Sequence, residues 1–260
     1  MTDTDIAYVC ASNDACVLRN NLLRSPCLSD TAPEVILGAS SAARAHNAGL
    51  DRTSAGLVVF LHQDVYLPSG WEALLRARIA QVEQQDPDWA LLGAYGVGLD
   101  DQGYGPVWSS SLGNIVGRVA LSPQPVQSFD ELLIVLRRDS GLRFDESLPG
   151  WHLHGTDIVT EARAKGLGAY VSALPLVHND GLKPQLDAGF RTAYRYLQTK
   201  WTQQLPLRSP IIKISRSGHQ LWRARWHNMR ARPVRAAMAL DTTTDAAAIA
   251  QACGWATVAP

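Results

Sequence analysis

A histidine and an aspartate follow directly on the most apolar stretch of the chain. Residues 57–61 are all apolar, and His62 and Asp64 come at the end of this run with Gln63 between them. Such an uninterrupted run predicts a strand that is buried on both faces of a sheet. Alternation along an extended chain places residues 62 and 64 on the same side. An imidazole nitrogen and a carboxylate oxygen on one side can share a divalent cation such as Mn²⁺ or Mg²⁺.

The same pattern also has a purely structural interpretation. A strand that ends in a buried, hydrogen-bonded histidine and a helix-capping aspartate would give the same residues at the same spacing. In open parallel sheets, ligands bind outside the carboxyl ends of the strands, which is where His62 and Asp64 are expected. Short motifs match by chance, so both interpretations stay open on the local sequence alone.

A second group of chemically capable side chains lies in residues 144–157. It includes Trp151, His152 and Asp157, and Asp157 falls in the first turn of a helix predicted over residues 156–165 with Thr156 as its N-cap. An acidic residue there stabilises a helix by about 0.3–1 kcal/mol through the helix dipole. A carboxylate facing a crevice could equally accept a proton from a sugar hydroxyl.

The surrounding elements predict an α/β sheet that would position these groups. Strands are expected at residues 6–11, 34–37 and 57–61, with helices between them, which gives the order β-α-β-α-β. A helix is expected over residues 71–85. Further strands are expected at residues 89–95, 112–121, 132–136 and 169–173, with a long loop at residues 96–111. Asp130 and Glu131 are expected to be surface acids at a strand end; alternatively they face the crevice.

Charge divides the chain into two parts. Residues 1–181 carry a net charge of −9 and residues 182–260 carry +9, so the 260-residue chain is neutral overall. We expect one α/β domain over residues 1–181 and a basic, mainly helical extension over residues 182–260. The extension is expected to pack on the acidic body and neutralise it; alternatively it meets an anionic acceptor or lipid headgroups. The acidic body argues against a nucleic-acid role.

The extension contains two aromatic stripes with helical spacing. Tyr194, Leu197 and Trp201 form the first, and Trp222, Trp226 and Met229 form the second. Stripes of this kind usually pack against a protein core, which is the expectation for both. Alternatively, the second helix forms a membrane-surface face with its arginines, which are Arg223, Arg225, Arg230 and Arg232.

Cysteine usage and hydropathy bear on localisation. The four cysteines lack the paired spacing of a zinc site, and no basic-then-apolar leader precedes Ile6. The apolar runs are shorter than the roughly 20 residues that a membrane-spanning helix needs. We therefore expect reduced thiols and a cytoplasmic, at most membrane-peripheral, protein.

Four separated segments together resemble the nucleotide-sugar glycosyltransferases of the GT-A fold, family 2-like, especially the bacterial branch grouped with a streptomycin-biosynthesis glycosyltransferase domain. The resemblance covers roughly residues 6–180, and its segments occur in the order expected of one domain. These segments are residues 9–14, residues 45–49, residues 60–65, and residues 144–157 with the later Pro-Leu-x-His motif that ends in His178. The resemblance implies a Rossmann-like mixed sheet flanked by helices.

The resemblance also implies a metal site. Asp64 matches the carboxylate of the family's Asp-x-Asp element that holds the metal on the donor diphosphate. His62 replaces the first aspartate and would either contact the donor ribose or ligate the metal. His178 matches a late metal ligand. His62, Asp64 and His178 would then form the protein half of a shell around Mn²⁺ or Mg²⁺.

Further roles follow from the resemblance in the same way. Asp157 matches the second acid of a paired-acid motif and would be the catalytic base, with Thr156 where the first acid often stands. On the donor side, Asn13 and Asp14 match the turn that recognises the base, and Asn47 matches a donor-side position. Trp151 and His152 would border the acceptor site.

The implied activity is metal-dependent transfer of a sugar from a nucleoside diphosphate sugar to a carbohydrate or other hydroxyl acceptor, with inversion, as in carbohydrate biosynthesis. Residues 178–187 are a candidate lid over the donor. Two alternatives remain: a non-catalytic domain of the same fold that binds nucleotide or glycan, and a module that binds anionic surfaces through its basic C-terminus.

Overall fold

A computed structural model describes residues 5–181, 186–241 and 243–260. The helices in these residues are α1 (Ala15–Asn20), α2 (Ala42–Arg52), α3 (Trp71–Gln85), α4 (His154–Ala164), α5 (Ala188–Lys200), α6 (His219–Met238) and α7 (Ala246–Ala252). The strands are β1 (Ile6–Ser12), β2 (Glu34–Leu37), β3 (Leu57–His62), β4 (Val65–Tyr66), β5 (Trp89–Gly93), β6 (Gly96–Gly98), β7 (Gly103–Tyr104), β8 (Val107–Ser109), β9 (Asn114–Val116), β10 (Gln124–Phe129), β11 (Leu133–Arg137), β12 (Gly168–Val171), β13 (Leu176–His178), β14 (Leu207–Arg208) and β15 (Lys213–Ile214).

The main sheet has nine strands in the order β2-β1-β3-β11-β5-β12-β10-β6-β7. Strand β1 pairs in parallel with β2 and with β3, whereas β11 runs antiparallel between β3 and β5. The sheet is therefore mixed, as expected. The predicted β-α-β-α-β opening is confirmed by β1, α1, β2, α2 and β3.

A smaller sheet has the order β4-β13-β8-β9, and β14 pairs with β15 in a separate two-stranded sheet. Strand β13 pairs antiparallel with β4, with Val177 opposite Tyr66 and His178 opposite Val65. It also pairs in parallel with β8, with His178 opposite Ser109. The smaller sheet thus joins the segment after β3 to a segment more than a hundred residues later in the chain.

Strand β3 is buried on both faces, as its apolar run predicts. Its odd-numbered side chains pack in one core cluster with Leu74 and Leu75 of α3. Its even-numbered residues, Val58 and Phe60, pack in another cluster with α2 and α4. Helices therefore cover both faces of a mixed sheet, which confirms the predicted fold class.

Two predictions about the central region are wrong. The loop expected at residues 96–111 contains β6, β7 and β8, because these short strands add to existing sheet edges and need little apolar sequence of their own. The strand expected at residues 112–121 shortens to β9.

The predicted start of α4 is also wrong. The helix begins two residues earlier, at His154, with Leu153 in the left-handed region as its N-cap. Thr156 is therefore inside the first turn and fully buried, and its hydroxyl does not cap the helix.

The two aromatic stripes of the C-terminal segment behave differently. Tyr194, Leu197 and Trp201 of α5 are buried in a core cluster with Leu148 and Leu153, as expected. Trp222 and Met229 of α6 are instead 72% and 69% exposed, so the expectation of packing is wrong for the second stripe. Helix α6 contains no buried residue.

Helix α2 approaches strand β1 so closely that position 49 admits only glycine. A Cβ built on Gly49 would overlap the side chain of Val9, which is fully buried in the sheet. The close approach brings the His46 and Asn47 part of the helix against the sheet. Neither α2 nor β1 can shift without disturbing the core.

We expect Gly49→Ala to destabilise the protein by about 1–3 kcal/mol, because the added methyl group overpacks a closely packed contact. Chemical denaturation monitored by circular dichroism measures the change. Gly218→Ala is the matched control, since a Cβ there meets nothing within 4 Å. Equal stability of the two variants would contradict a tight contact between α2 and β1.

Candidate metal and donor site

Three side chains with metal-ligating atoms meet beside the carboxyl ends of β1 and β3. His62, Asp64 and His178 each offer one such atom, and these atoms all lie within 4.8 Å of one another. The His178 Nε2 atom lies 3.3 Å from Asp64 Oδ1, and His62 Nδ1 lies 3.9 Å from the same oxygen. Two imidazole nitrogens and one carboxylate oxygen form a mixed donor set that suits Mn²⁺.

Backbone pairing positions this cluster. His62 is the last residue of β3, and Asp64 follows in the turn to β4. The Asn179 backbone N–H donates to the Asp64 carbonyl at 2.8 Å, which continues the pairing of β4 with β13. This pairing brings His178 from a remote part of the sequence to the Asp64 carboxylate.

The environment of His178 favours a positive charge in this cluster. Burial lowers the pKa of its imidazole, but the Asp64 carboxylate beside it outweighs burial and raises the pKa to about 9. Asp64 is itself only 5% exposed. A buried carboxylate is stable when paired with a cation, and here the protonated imidazole or a bound metal can fill that role.

Gln63 connects the cluster to the turn after β1, a role that the sequence analysis did not assign. Its Oε1 accepts hydrogen bonds from the Ser12 hydroxyl at 2.7 Å and from the backbone N–H groups of Asn13 and Asp14 at 3.1 Å each. Its Nε2 donates to Asn13 Oδ1 at 2.8 Å. In the sequence, only the position of Gln63 between His62 and Asp64 pointed to a role for it in the site.

The turn itself is further fixed by Asp14. Its Oδ1 accepts from the backbone N–H groups of Cys16 and Val17 and thereby caps α1. Asn13 and Asp14 are both exposed. The structure therefore places the predicted base-recognition turn, through Gln63, next to His62 and Asp64.

Asn47 is placed elsewhere, inside the protein. Its amide donates to the Phe144 carbonyl at 2.9 Å and to Glu146 Oε1 at 3.0 Å, and its Oδ1 accepts from the Phe144 backbone N–H. The side chain is 3% exposed. These contacts give Asn47 a structural role in holding residues 144–146, and its predicted donor contact stays a prediction.

Asp157 lies in the first turn of α4 and pairs with α5. Its Oδ2 accepts from Lys200 Nζ at 2.9 Å, and its Oδ1 accepts from the Trp201 indole N–H at 2.7 Å. Lys200 also contacts Asp145 Oδ2 at 2.8 Å, and Tyr196 donates to that oxygen. Burial raises the pKa of Asp157, although Lys200 opposes this effect.

A second carboxyl group lies beside the same helical turn. Glu131 Oε1 accepts from the Gly155 backbone N–H at 3.3 Å. Burial, and then the neighbouring Asp130, raise the pKa of Glu131 to about 8. Glu131 is partly buried, because the first turn of α4 packs over it.

Two buried histidines join α2 to α4. His46 Nε2 and His154 Nε2 lie 3.3 Å apart, and both rings pack against Phe144. Burial lowers the pKa of His46 to about 3 and lowers the pKa of His154 well below its ordinary value. Both rings are neutral at pH 7, so this pair is a packed structural contact.

The predicted acceptor-side residues lie near the start of α5. Trp151 is 45% exposed, and His152 Nε2 is 3.5 Å from Asp187 Oδ1. Asp187 caps α5, since its Oδ1 accepts from the Phe190 backbone N–H at 2.7 Å. Residues 182–185 of the candidate lid lie outside the described residues. Asn179, within the same candidate lid, is buried and hydrogen-bonded to Asn21.

Comparison with known proteins gives weak likenesses. No protein-family profile matches the chain. A protein from Fuscovulum blasticum described as ATP synthase subunits region ORF 6 is 28% identical over 138 residues, which cover 51% of this chain and 55% of that protein. The match therefore spans about half the length of this curated relative.

Solved structures that resemble the chain include glycosyltransferases. One is a mannosyltransferase from Pyrobaculum calidifontis in complex with GDP-Man and Mn²⁺, with a TM-score of 0.46, 13% identity, and coverage of 97% of this chain and 76% of that one. Another is glucosyl-3-phosphoglycerate synthase from Mycobacterium tuberculosis in complex with Mn²⁺, UDP and phosphoglyceric acid, with a TM-score of 0.48, 13% identity, and coverage of 76% and 78%. No functional assignment follows from likenesses at this level.

No described helix is both long enough and apolar enough to cross a bilayer.

We expect the protein to bind Mn²⁺ and Asp64→Asn to weaken that binding by at least about tenfold, since even changes outside the ligand shell cost this much. Electron paramagnetic resonance of free Mn²⁺ measures the affinity. The isosteric change keeps the side-chain volume, so packing is preserved.

His152→Ala is the control for this prediction, because that histidine pairs with Asp187 outside the cluster. Unchanged Mn²⁺ affinity in Asp64→Asn, or equal losses in both variants, would contradict a metal site at His62, Asp64 and His178.

Proposed function

We propose that the protein is a metal-dependent glycosyltransferase of the GT-A fold, family 2-like and nearest the streptomycin-biosynthesis branch. It moves a hexose-like sugar from a nucleoside diphosphate sugar to a hydroxyl acceptor, with inversion. The observation that carries the proposal is the convergence of His62, Asp64 and His178 within 4.8 Å beside the β1 turn. The motif order described above supplies the substrate class.

His62, Asp64 and His178 would hold the divalent metal, Mn²⁺ or Mg²⁺. The three side chains fit such an ion, because their nitrogen and oxygen atoms converge on a buried carboxylate. When bound, the metal supplies positive charge that stabilises the departing nucleoside diphosphate. With two imidazoles and one carboxylate, the protein half of the shell carries a single negative charge.

The turn after β1 would bind the nucleoside. Gln63 fixes Asn13 and Asp14 relative to Asp64, because one side chain bonds to the turn at four points between the two candidate ligands. The turn that would recognise the base and the metal ligands that would hold the diphosphate are therefore held in a fixed relative position. Such preorganisation reduces the entropy that donor binding must overcome.

Asp157 would accept the proton from the attacking hydroxyl. Burial raises the pKa of its carboxyl group, which makes the carboxylate a stronger base. Its hydrogen bond from Lys200 must then be released or shared, and Asp145 is available as a second partner for that ammonium group. Trp151 and His152 would border the acceptor.

A non-catalytic domain that binds nucleotide or glycan is the alternative. The specific observation in its favour is that both oxygens of Asp157 accept hydrogen bonds from α5, as they would if the residue only attached that helix to the body. This alternative keeps the metal and donor site and lacks transfer.

We expect UDP, GDP, dTDP or CDP to raise the melting temperature in the presence of Mn²⁺, with the effect lost in Asp64→Asn. A nucleotide at 100 times its Kd should stabilise the protein by about 2.7 kcal/mol, because it binds only the folded state. Differential scanning fluorimetry measures this shift. An identical shift without Mn²⁺ or in the variant would contradict metal-assisted donor binding.

We expect Asp157→Asn to reduce donor-sugar transfer by at least about 100-fold, the usual lower range for a general base. Donor affinity, measured by calorimetry with Mn²⁺, should change little. Transfer is followed as nucleoside diphosphate release in the presence of a panel of hydroxyl acceptors.

Asp145→Asn alters the same Lys200 network and leaves the Asp157 carboxylate in place, so we expect it to lose less transfer than Asp157→Asn. Glu131→Gln tests the other carboxyl group beside the first turn of α4. Equal losses of transfer in the Asp145 and Asp157 variants would assign the effect to the network, and donor binding without transfer in the wild type would favour the non-catalytic alternative.

A further inference from the structure

Helix α6 carries an apolar stripe that faces away from the rest of the protein. Trp222, Trp226 and Met229 lie at positions i, i+4 and i+7, and they are 72%, 39% and 69% exposed. Pro233 continues the same stripe four residues later and is also exposed. A contiguous exposed stripe of this kind marks an interaction surface.

The opposite face of α6 is the one that contacts the body. Leu221 and Ala224 are partly buried against the core cluster that contains Trp201, and Asn228 and Ala231 on the same face are also partly buried. The exposed stripe therefore does not result from a detached helix. The helix lies on the protein and presents its large apolar side chains outward.

Arginines border the outward stripe on both sides. With about 100° of rotation per residue, Arg223 and Arg230 fall on one side of it, and Arg225 and Arg232 fall on the other. The Arg230 guanidinium also stacks on the Trp226 ring, with its Cζ atom 3.8 Å from the ring centroid. Helix α6 contains five arginines and no acidic residue.

We propose that α6 lies in the headgroup region of a membrane that contains anionic phospholipids. Trp222, Trp226 and Met229 insert at the boundary of the acyl chains, and the bordering arginines bind lipid phosphates. Charge complementarity favours this partner, because a polyanion without an apolar phase would leave the tryptophan and methionine side chains in water. Tryptophan and arginine are both suited to a membrane interface.

The chain after α6 returns to the candidate metal site. The Leu240 backbone N–H donates to the Ser110 carbonyl at 2.9 Å, and the Ser110 backbone N–H donates to the His178 carbonyl at 3.0 Å. The membrane-binding helix is therefore attached to the strand that supplies a candidate metal ligand. The inference rests on these contacts alone and does not depend on the proposed transferase activity.

Vesicle flotation of the full chain tests the proposal. The protein should float with vesicles of phosphatidylcholine mixed with phosphatidylglycerol and should remain unbound with phosphatidylcholine alone. Replacing Arg223 and Arg232 by glutamine should weaken partition roughly 25-fold, since each basic residue near an anionic surface contributes about fivefold.

The double variant Trp222→Ser with Met229→Ser tests the apolar stripe and should also lose flotation. Its matched control is Leu37→Ser with Leu121→Ser, which removes apolar side chains that are 71% and 88% exposed at other places on the surface. The control should float like the wild type. Circular dichroism confirms that all variants are folded.

Three results would overturn the proposal. The first is flotation of the stripe variant equal to that of the wild type. The second is binding to a soluble polyanion such as heparin with no binding to anionic vesicles. The third is a dimer by light scattering that the stripe variant converts to a monomer, since a second copy of the chain would then cover the stripe.

Discussion

The antiparallel pairing of β4 with β13 is the constraint on which the candidate site depends. Asp64 lies in the turn after the buried strand β3, and the hydrogen bond from Asn179 to its carbonyl holds the later strand against it. This pairing holds His178 beside the carboxylate of Asp64, although the two residues are more than a hundred positions apart in the sequence. The electrostatic attraction between the two side chains then reinforces the contact that the backbone has made.

A second constraint joins the acidic body to the basic C-terminal segment. Lys200 of α5 lies between the carboxylates of Asp145 and Asp157, and Trp201 donates to the second of these. The opposite charges of the two parts are thus matched in a partly buried network, where screening by salt is weak. Most arginines of α6 take no part in it, so charge neutralisation explains only part of the basic segment.

The basic C-terminal segment therefore has one face that packs on the body and one face that is exposed to solvent. The face formed by α5 and by the partly buried side of α6 completes a core cluster with Leu148 and Leu153. The outward face of α6 keeps tryptophan and methionine side chains in solvent, and a contiguous exposed apolar stripe is unfavourable unless a partner covers it. The proximity of Leu240, Ser110 and His178 places this surface and the candidate metal cluster on connected elements.

The sequence by itself determined the α/β class, the opening β-α-β-α-β order and the buried β3 followed by His62 and Asp64, because apolar runs and helical periodicity are local signals. The mixed sheet was implied by the family resemblance. The resemblance also predicted that His178 joins these residues, and the tertiary structure supplies the pairing of β13 with β4 that brings it there. Only the tertiary structure decided that Gln63 fixes the adjacent turn and that Asp157 pairs with Lys200. Each of these contacts links residues that are far apart in the chain. The apolar stripe of α6 is another example. Its helical spacing is visible in the sequence, but the packing of Leu221 and Ala224 decides which face of the helix contacts the body.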